Sequence, residues 1–355
     1  MSRDLGDMRL LATPSARSYA GQVYNKLLDN FEARYRAEFP DTNPLIDVDV
    51  SFFPDREVDV KIGATVRKRD VYAFLAFTGY KGEFDPNVGF MQLLLLDDAL
   101  RNASPESITY IVPFIPYQRQ DRIDRPRVAI SARKTAQLFF DTERPTPTTV
   151  VTFDMHSPQQ QGFYLPILEN LQALPLFATY CRDHDLQECT VIVSPDVGGA
   201  RRARDFASGL GNTEIFIIDK RRDGPGNSEA LNIVGPVERI KGNRAIIIDD
   251  IIDTGGTIVE AARALKEAGA TEIHAFATHG VFSQSNSVTC EQKMRSNGIR
   301  VVIADTIPRD DGYYNSNKDW LTVVSTADIV AQVVYRLQRG LSITELFDRW
   351  GYRRL

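Results

Sequence analysis

The sequence predicts an α/β protein built on mostly parallel sheets, and three observations carry that prediction. Short β-rich runs alternate along the chain with longer amphipathic stretches, the pattern of repeated βα units. Several runs are almost wholly apolar, Ala245-Ile246-Ile247-Ile248 among them, as strands covered on both faces must be. The strands also fall into two groups of about five on either side of residues 160–175, without a strict sequence repeat. Two similar halves would produce that distribution.

Taken in order, the β-rich runs place strands at Ile46–Phe53, Val71–Phe77, Ile108–Phe114, Thr149–Asp154 and Thr190–Ser194. Further strands are expected at Glu214–Asp219, Ala245–Asp250, Glu272–Thr278, Ile299–Ala304 and Leu321–Ser325. The amphipathic stretches place helices at Arg17–Phe39, Val88–Ala103, Ala132–Asp141, Leu174–Arg182, Gly199–Leu210, Thr257–Ala268, Val288–Asn297 and Ala327–Arg339. Gly269, in Ala268-Gly269-Ala270, stands where a helix C-terminus favours glycine. A short terminal helix is expected over Ser342–Trp350. The stretch Leu165–Pro175, with Pro166 and Pro175, is the expected crossing between the halves. The domains expected are 1–168, joined by a C-terminal helix at about 326–355, and 169–325.

Composition narrows the function classes. The chain has 355 residues, which suits two domains of about 150 to 200 residues. Hydrophobic residues at 43% and charged residues at 25% exclude a largely disordered chain or a collagen-like fibre. The 42 Lys+Arg and 47 Asp+Glu leave a formal charge of −5, which supplies no general attraction to nucleic acid or an anionic membrane. The three cysteines, Cys181, Cys189 and Cys290, include no Cys-x-x-Cys pair, so neither a disulfide framework nor a structural zinc site is expected. No apolar run approaches the roughly 20 residues that span a bilayer, and Met1–Met8 has no signal-peptide core. The expectation is a soluble protein of a reducing cytoplasm.

Four stretches carry chemistry. In Ile248-Asp249-Asp250-Ile251-Ile252-Asp253-Thr254-Gly255-Gly256-Thr257 an apolar strand ends in two acids, and a small-residue loop then opens a helix. Backbone N–H groups and hydroxyls at such a helix start suit a phosphate. Asp249 and Asp250 are placed to accept hydrogen bonds from neighbouring sugar hydroxyls. Phosphate at one end and a cis-diol at the other describe a ribose 5-phosphate. An acidic turn with a Gly-rich cap explains a lone Asp-Asp pair as well, but not the whole ten-residue pattern.

The second stretch, Pro113 to Arg127, contains Arg119, Arg122, Arg125 and Arg127, and arginine forks suit polyphosphate oxygens. A solvated loop with Asp121 and Asp124 as counter-charges is the alternative. In the third, His156 follows Asp154 at a strand end, and Ser194-Pro195-Asp196-Val197-Gly198-Gly199 repeats the logic of an acid and glycines between strand and helix. A lone His is more often structural, but a polar loop beside it favours a metal or phosphate contact. The fourth, Asp219-Lys220-Arg221-Arg222-Asp223-Gly224-Pro225-Gly226-Asn227, has three cations followed by a polar loop, and reads as a mobile arm over polyphosphate or as a solvated hairpin.

In this order the stretches resemble the ribose-phosphate pyrophosphokinase (PRPP synthetase) family, from about Val50 to Phe347. The matching segments are Phe-Pro-Asp-Arg-Glu at 53–57, Pro-Tyr-Gln-Arg-Gln-Asp-Arg at 116–122, Asp-Met-His at 154–156, Ser-Pro-Asp-Val-Gly-Gly-Ala at 194–200, Asp-Lys-Arg-Arg at 219–222 and the ribose-phosphate loop. The resemblance implies two phosphoribosyltransferase-like domains, each with a mostly parallel central sheet flanked by helices. It implies Mg2+-dependent transfer of the diphosphoryl group of ATP to the C1 hydroxyl of ribose 5-phosphate, with AMP leaving. By position it implies an adenine pocket of Phe53, Asp55 and Glu57 lent to a neighbouring subunit, ATP contacts at Arg119, Gln120, Asp124 and His156, and a magnesium neighbourhood at His156 and Asp196. Lys220 and Arg222 become the catalytic arm, and Asp249, Asp250, Asp253, Thr254, Gly255, Gly256 and Thr257 the ribose-phosphate site. The lent pocket implies a homo-oligomer, and the resemblance implies one built from dimers, a hexamer.

The chain departs from the family pattern at Arg56, where Gly or Gln is common, and at Ile123 and Pro126. The segment before Ile46 is longer than usual, and Phe77–Asn87 matches poorly. Thr65, Arg67, Ser104, Arg127, Ser342 and Thr344 match effector-pocket positions only loosely. Two other readings share most of the pattern: the same transfer onto a larger ester such as ADP-ribose, and a non-catalytic synthetase-associated regulatory subunit. Retention of Lys220, Arg222 and the full acidic loop weighs against the second.

Overall fold

The computed structural model describes residues 7–38, 45–79, 83–139, 144–165, 167–211, 214–221, 230–284 and 287–349. The first sheet contains β1 (Met8–Ala12), β2 (Leu45–Phe52), β3 (Val58–Ile62), β4 (Asp70–Phe74), β5 (Ser107–Ile111), β6 (Thr148–Phe153) and β7 (Ile167–Leu171). The second contains β8 (Thr190–Ser194), β9 (Ile215–Arg221), β10 (Ala230–Val234), β11 (Arg244–Ile252), β12 (Glu272–Gly280), β13 (Ile299–Ala304) and β14 (Leu321–Val324). The strand orders are β3-β2-β1-β4-β5-β6-β7 and β10-β9-β8-β11-β12-β13-β14, one topology used twice. In each sheet only the β2–β3 or β9–β10 pair is antiparallel. The two similar α/β halves expected from the strand distribution are therefore present.

The helices are α1 (Arg17–Glu38), α2 (Pro86–Asn102), α3 (Ser131–Ala136), α4 (Leu174–Asp183), α5 (Ala200–Gly209), α6 (Gly256–Glu267), α7 (Cys290–Ser296), α8 (Asp311–Asn317), α9 (Ala327–Arg339) and α10 (Thr344–Arg349). α8 was not apparent in the sequence. Its run Asp311-Gly312-Tyr313-Tyr314-Asn315-Ser316-Asn317 lacks an apolar period, and the turn is held by Asp310, whose side chain accepts the Tyr313 N–H. The chain divides into two compact units, the second being Gln172–Ser325, with the chain from Thr326 to Arg349 returning to the first.

Each unit has its own core. Central strands read Ile246-Ile247-Ile248 or Val150-Val151 because helices cover both faces of a parallel sheet, and these residues are buried. In the first unit a buried ionic group ties α2 to β5. Arg101 donates from Nε to both Asp97 oxygens at 3.0 and 2.8 Å, and the Tyr110 hydroxyl donates to Asp97 Oδ1 at 2.5 Å. Burial and the Asp97 charge push the Tyr110 hydroxyl well above the ordinary tyrosine range, so it stays a donor. α9 lies against α1 in the same unit. The Tyr19 and Thr326 hydroxyls are 2.6 Å apart, and Gln338 takes a hydrogen bond from the Tyr72 hydroxyl and donates to Asp70, both at 3.0 Å.

Four strands escape the sequence reading. β3, β7 and β10 are edge strands, paired on one side only, and their mixed patterns lack a continuous apolar run. β7 occupies residues 167–171, inside the stretch read as a crossing. β1 is central, but only five residues long.

Candidate active site

In the second unit β8 has β9 on one side and β11 on the other. The strand order therefore reverses between β8 and β11, and ligands of open α/β sheets bind outside the carboxyl ends of the strands at such a point. The parallel register pairs Val193 with Ile247.

The loop after β11 turns into α6 through Gly255, which has φ +75°, a left-handed conformation that glycine adopts without the Cβ penalty. A Cβ there would also collide with Met294 Cε and lie 2.9 Å from Cys290 Sγ, both on α7. The first-turn N–H groups of a helix have no intrahelical partner, and Gly255, at the N-cap of α6, has no side chain to cap them. The topologically equivalent helix of the first unit, α2, is treated differently. Asp85 caps it, its Oδ1 accepting the N–H groups of Asn87 at 2.9 Å and Val88 at 3.1 Å. A carboxylate of the chain thus takes the N-terminal position in the first unit, whereas the N-cap of α6 is a glycine that supplies none.

The acids of this loop are held by α5. Arg202 Nη1 lies 3.2 Å from Asp249 Oδ1 and 3.3 Å from Asp250 Oδ1. Asp249 Oδ1 also accepts the Asp250 N–H at 2.8 Å. Burial and the neighbouring Asp250 charge raise the Asp249 carboxyl well above the usual carboxylate range, against the opposing pull of Arg202. Asp196 is exposed in the β8–α5 loop. Its Oδ1 accepts the Gly199 N–H at 2.8 Å, and its carbonyl accepts the Ser194 hydroxyl at 2.7 Å. Thr254, Thr257 and Asp253 are half-buried around the same turn. The expected ribose-phosphate residues Asp249, Asp250, Asp253, Thr254, Gly255, Gly256 and Thr257 thus lie on one continuous segment, from the end of β11 through the turn to the start of α6.

In the first unit, Arg119, Gln120 and Asp124 lie in the segment after β5, and His156 lies after β6. Gln120 Nε2 donates to the Arg122 carbonyl at 2.8 Å and to Asp124 Oδ1 at 3.2 Å. Gln118 connects this segment to the His156 loop. Its Oε1 accepts the His156 N–H at 2.8 Å, and its carbonyl accepts Gln160 Nε2 at 2.8 Å. Ser157 donates to Asp121 Oδ2 at 2.6 Å. His156 and Arg119 are exposed, whereas Gln118 and Gln160 are buried supports.

Phe53, Asp55 and Glu57 share the β2–β3 turn. The Phe53 N–H donates to the Glu57 carbonyl, the Arg56 N–H to the Phe53 carbonyl and the Glu57 N–H to Asp55 Oδ1. Phe53 is 54% exposed, an apolar ring held out on a rigid turn. Arg56 has φ 73°, which accounts for glycine being common there in the family pattern. The corresponding hairpin of the second unit is β9–β10. Lys220 lies within β9, opposite Leu231, rather than beyond the strand as the sequence suggested, because β10 extends the ladder. Arg222 and Gly224-Pro225-Gly226-Asn227 lie outside the described residues.

Sequence reasoning did not assign Gln118, Gln160, Arg202, Lys293, Cys290 or Met294. Arg202 stands two residues beyond the quoted 194–200 motif and carries a charge, so a signal existed. Lys293, Cys290 and Met294 act on a loop about 40 residues upstream, and nothing local marks them. Among the described residues no group of three or more His, Cys, Asp or Glu gathers as a metal site. No helix among them is long and apolar enough to cross a membrane.

Fold and site define an α/β protein of two like units, with a glycine-rich strand-to-helix turn at the switch point of the second. Residues 8–142 match the N-terminal domain of ribose phosphate pyrophosphokinase, and residues 224–348 match the phosphoribosyl synthetase-associated domain. The chain is 38% identical over 303 residues to a ribose-phosphate pyrophosphokinase of Aquifex aeolicus, covering 85% of this chain and 91% of that one. It is 39% identical over 303 residues to that of Thermotoga maritima, with 85% and 90% covered. The crystal structure of phosphoribosylpyrophosphate synthetase from Mycobacterium smegmatis superposes with a TM-score of 0.77 at 30% identity, over 93% of this chain and 98% of that one. The chain belongs to the ribose-phosphate pyrophosphokinase family and is an enzyme of that family. The match from residue 8 extends the likeness upstream of Val50, so β1 and α1 are part of the family domain despite the length of the segment.

The raised Asp249 carboxyl has a consequence for stability. A carboxyl that holds its proton more tightly folded than unfolded makes its ionisation a cost to the fold. Stability from this group is fully present below the ordinary carboxylate pKa and is lost as pH rises through the raised value. Asn at this position cannot ionise, and Asp250 remains as partner of Arg202. Asp249→Asn is expected to raise Tm at pH 7 and to flatten the fall of Tm as pH rises above the ordinary carboxylate range; calorimetry from about pH 4 upward checks it, and a lower Tm at pH 7 refutes it.

Proposed function

We propose that the enzyme transfers the diphosphoryl group of ATP to the C1 hydroxyl of ribose 5-phosphate, giving 5-phosphoribosyl 1-diphosphate and AMP. The observation that carries this reading is the open N-terminus of α6 beside the Asp249–Asp250 pair. It offers N–H groups for a phosphate and carboxylates for vicinal hydroxyls within one loop. Family membership supports the same reaction, since relatives bear the name of that activity.

The C1 hydroxyl oxygen attacks the β-phosphorus of ATP. The bond from that phosphorus to the α–β bridging oxygen breaks, AMP leaves with the electron pair, and the hydroxyl proton passes to solvent. Such transfer depends on positioning and on neutralised oxygens more than on covalent catalysis. Gly255, Gly256, Thr254 and Thr257 hold the 5-phosphate, while Asp249, Asp250 and Asp253 orient the sugar. Arg119, Gln120, Asp124 and His156 bind ATP. Lys220 and Arg222 stabilise charge on the transferred group and on the departing AMP.

Asp196 offers exposed hard oxygen, the donor type that suits magnesium, and would hold Mg2+ from the second unit; His156 is assigned to the ion by the family resemblance alone. The ion, when bound, neutralises phosphate oxygens. Phe53, Asp55 and Glu57, presented on an exposed turn, complete a neighbour's adenine pocket, so the active species is a homo-oligomer of dimers, a hexamer.

Purified protein with Mg-ATP and ribose 5-phosphate is expected to release AMP. ADP-ribose in place of ribose 5-phosphate tests the larger acceptor; no AMP release with ribose 5-phosphate, or equal AMP release without any sugar, would sink the reading. Lys220→Ala is expected to lower kcat roughly 100-fold or more, about 2.7 kcal/mol of transition-state stabilisation, with smaller changes in KM; near-normal turnover removes the catalytic-arm assignment. Light scattering of the active enzyme is expected to give a hexamer, and a fully active monomer excludes a lent adenine pocket.

A further inference from the structure

We propose that Lys293 is a positioning residue that sets the ribose-phosphate loop for its ligand, an inference that rests on the reading of that loop given above. Lys293 Nζ donates to the Thr254 carbonyl at 2.9 Å. The Thr254–Gly255 peptide is one planar unit whose C=O and N–H point to opposite sides. Holding the carbonyl towards α7 therefore directs the Gly255 N–H away from α7, to the side where the phosphate is to be held. A carbonyl free to turn towards that side would present a partial negative charge to the phosphate instead.

The same face of α7 fixes the glycine itself. Cys290, Lys293 and Met294 stand at i, i+3 and i+4, one face of the helix. Cys290 Sγ and Met294 Cε fill the space where a Cβ at Gly255 would lie. Burial pushes the Cys290 thiol up to about 12, so it acts as a neutral packing group. The left-handed turn is thus wedged from below, while the lysine sets the peptide plane beside it.

α7 is itself anchored. Thr289 and Gln292 form a reciprocal capping box, with bonds of 3.2 and 3.0 Å. Glu291 accepts the Tyr313 hydroxyl at 2.7 Å, and Arg295 pairs with Asp319 at 3.0 Å. A lysine on a fixed helix also sets a positive charge next to the anion cradle, where a neutral donor would set only the peptide.

The test compares wild type, Lys293→Met, which keeps most of the apolar stem without the ammonium, and Lys293→Arg, which restores charge and donors. Calorimetry gives affinity for ribose 5-phosphate, steady-state kinetics the apparent KM for ATP, and thermal unfolding the Tm. Lys293→Met is expected to weaken ribose 5-phosphate binding about tenfold or more, the scale of one charge-assisted hydrogen bond. The KM for ATP should move by less than about twofold and Tm by little, and Lys293→Arg should recover most of the affinity. Unchanged ribose 5-phosphate affinity in Lys293→Met, or equal losses for both substrates with a lowered Tm, overturns the proposal. A wild-type protein that binds ribose 5-phosphate yet releases no AMP sinks the proposed reaction alone, and the affinities still decide the role of Lys293. Wild type that does not bind ribose 5-phosphate overturns both.

Discussion

The turn from β11 into α6 is the constraint on which the candidate site of the second unit depends. A helix start leaves its first N–H groups without intrahelical partners, and α2 meets two of its own with Asp85. α6 has Gly255 at its N-cap, a residue with no side chain to do the same. The rest of the loop follows from that requirement. The turn must be tight, so glycine takes the left-handed conformation. It must also hold its shape without a cap of its own, so Cys290 and Met294 brace it from α7.

Using one topology twice separates two tasks. The equivalent helix starts differ by one carboxylate, which closes the anion position in the first unit and leaves it open in the second. The equivalent hairpins differ in what they present: β2–β3 holds out Phe53 on a closed turn, and β9–β10 carries Lys220. The first unit adds an arginine-rich loop after β5, which buried Gln118 joins to the loop of His156. Side chains at equivalent backbone positions, rather than a different fold, distinguish the units.

Acids close together at the site carry an electrostatic load. Asp249 and Asp250 share Arg202, and this single guanidinium does not offset both the burial and the mutual repulsion felt by Asp249. A cis-diol donates two hydrogen bonds and adds no negative charge of its own, so it relieves this pair where a further anion would not. Stability given up at such a position is the ordinary accompaniment of a preorganised polar site.

Much of the architecture was legible in the sequence. Apolar runs such as Ala245–Ile248 announce buried parallel strands because burial on both faces permits little else, and the segment Asp249–Thr257 is contiguous, so its residue types and order mark a candidate phosphate site in the chain alone. What stayed hidden depends on partners distant in the chain. Edge strands β3, β7 and β10 pair on one side and tolerate mixed patterns, so periodicity under-reports them. Arg202 faces Asp249 and Asp250 only because β8 and β11 are neighbours, and Lys293 reaches the Thr254 carbonyl only because α7 is held beside that loop. A backbone carbonyl is the same group at every residue, so no residue type could name it as the partner of a lysine; the tertiary structure alone chose it.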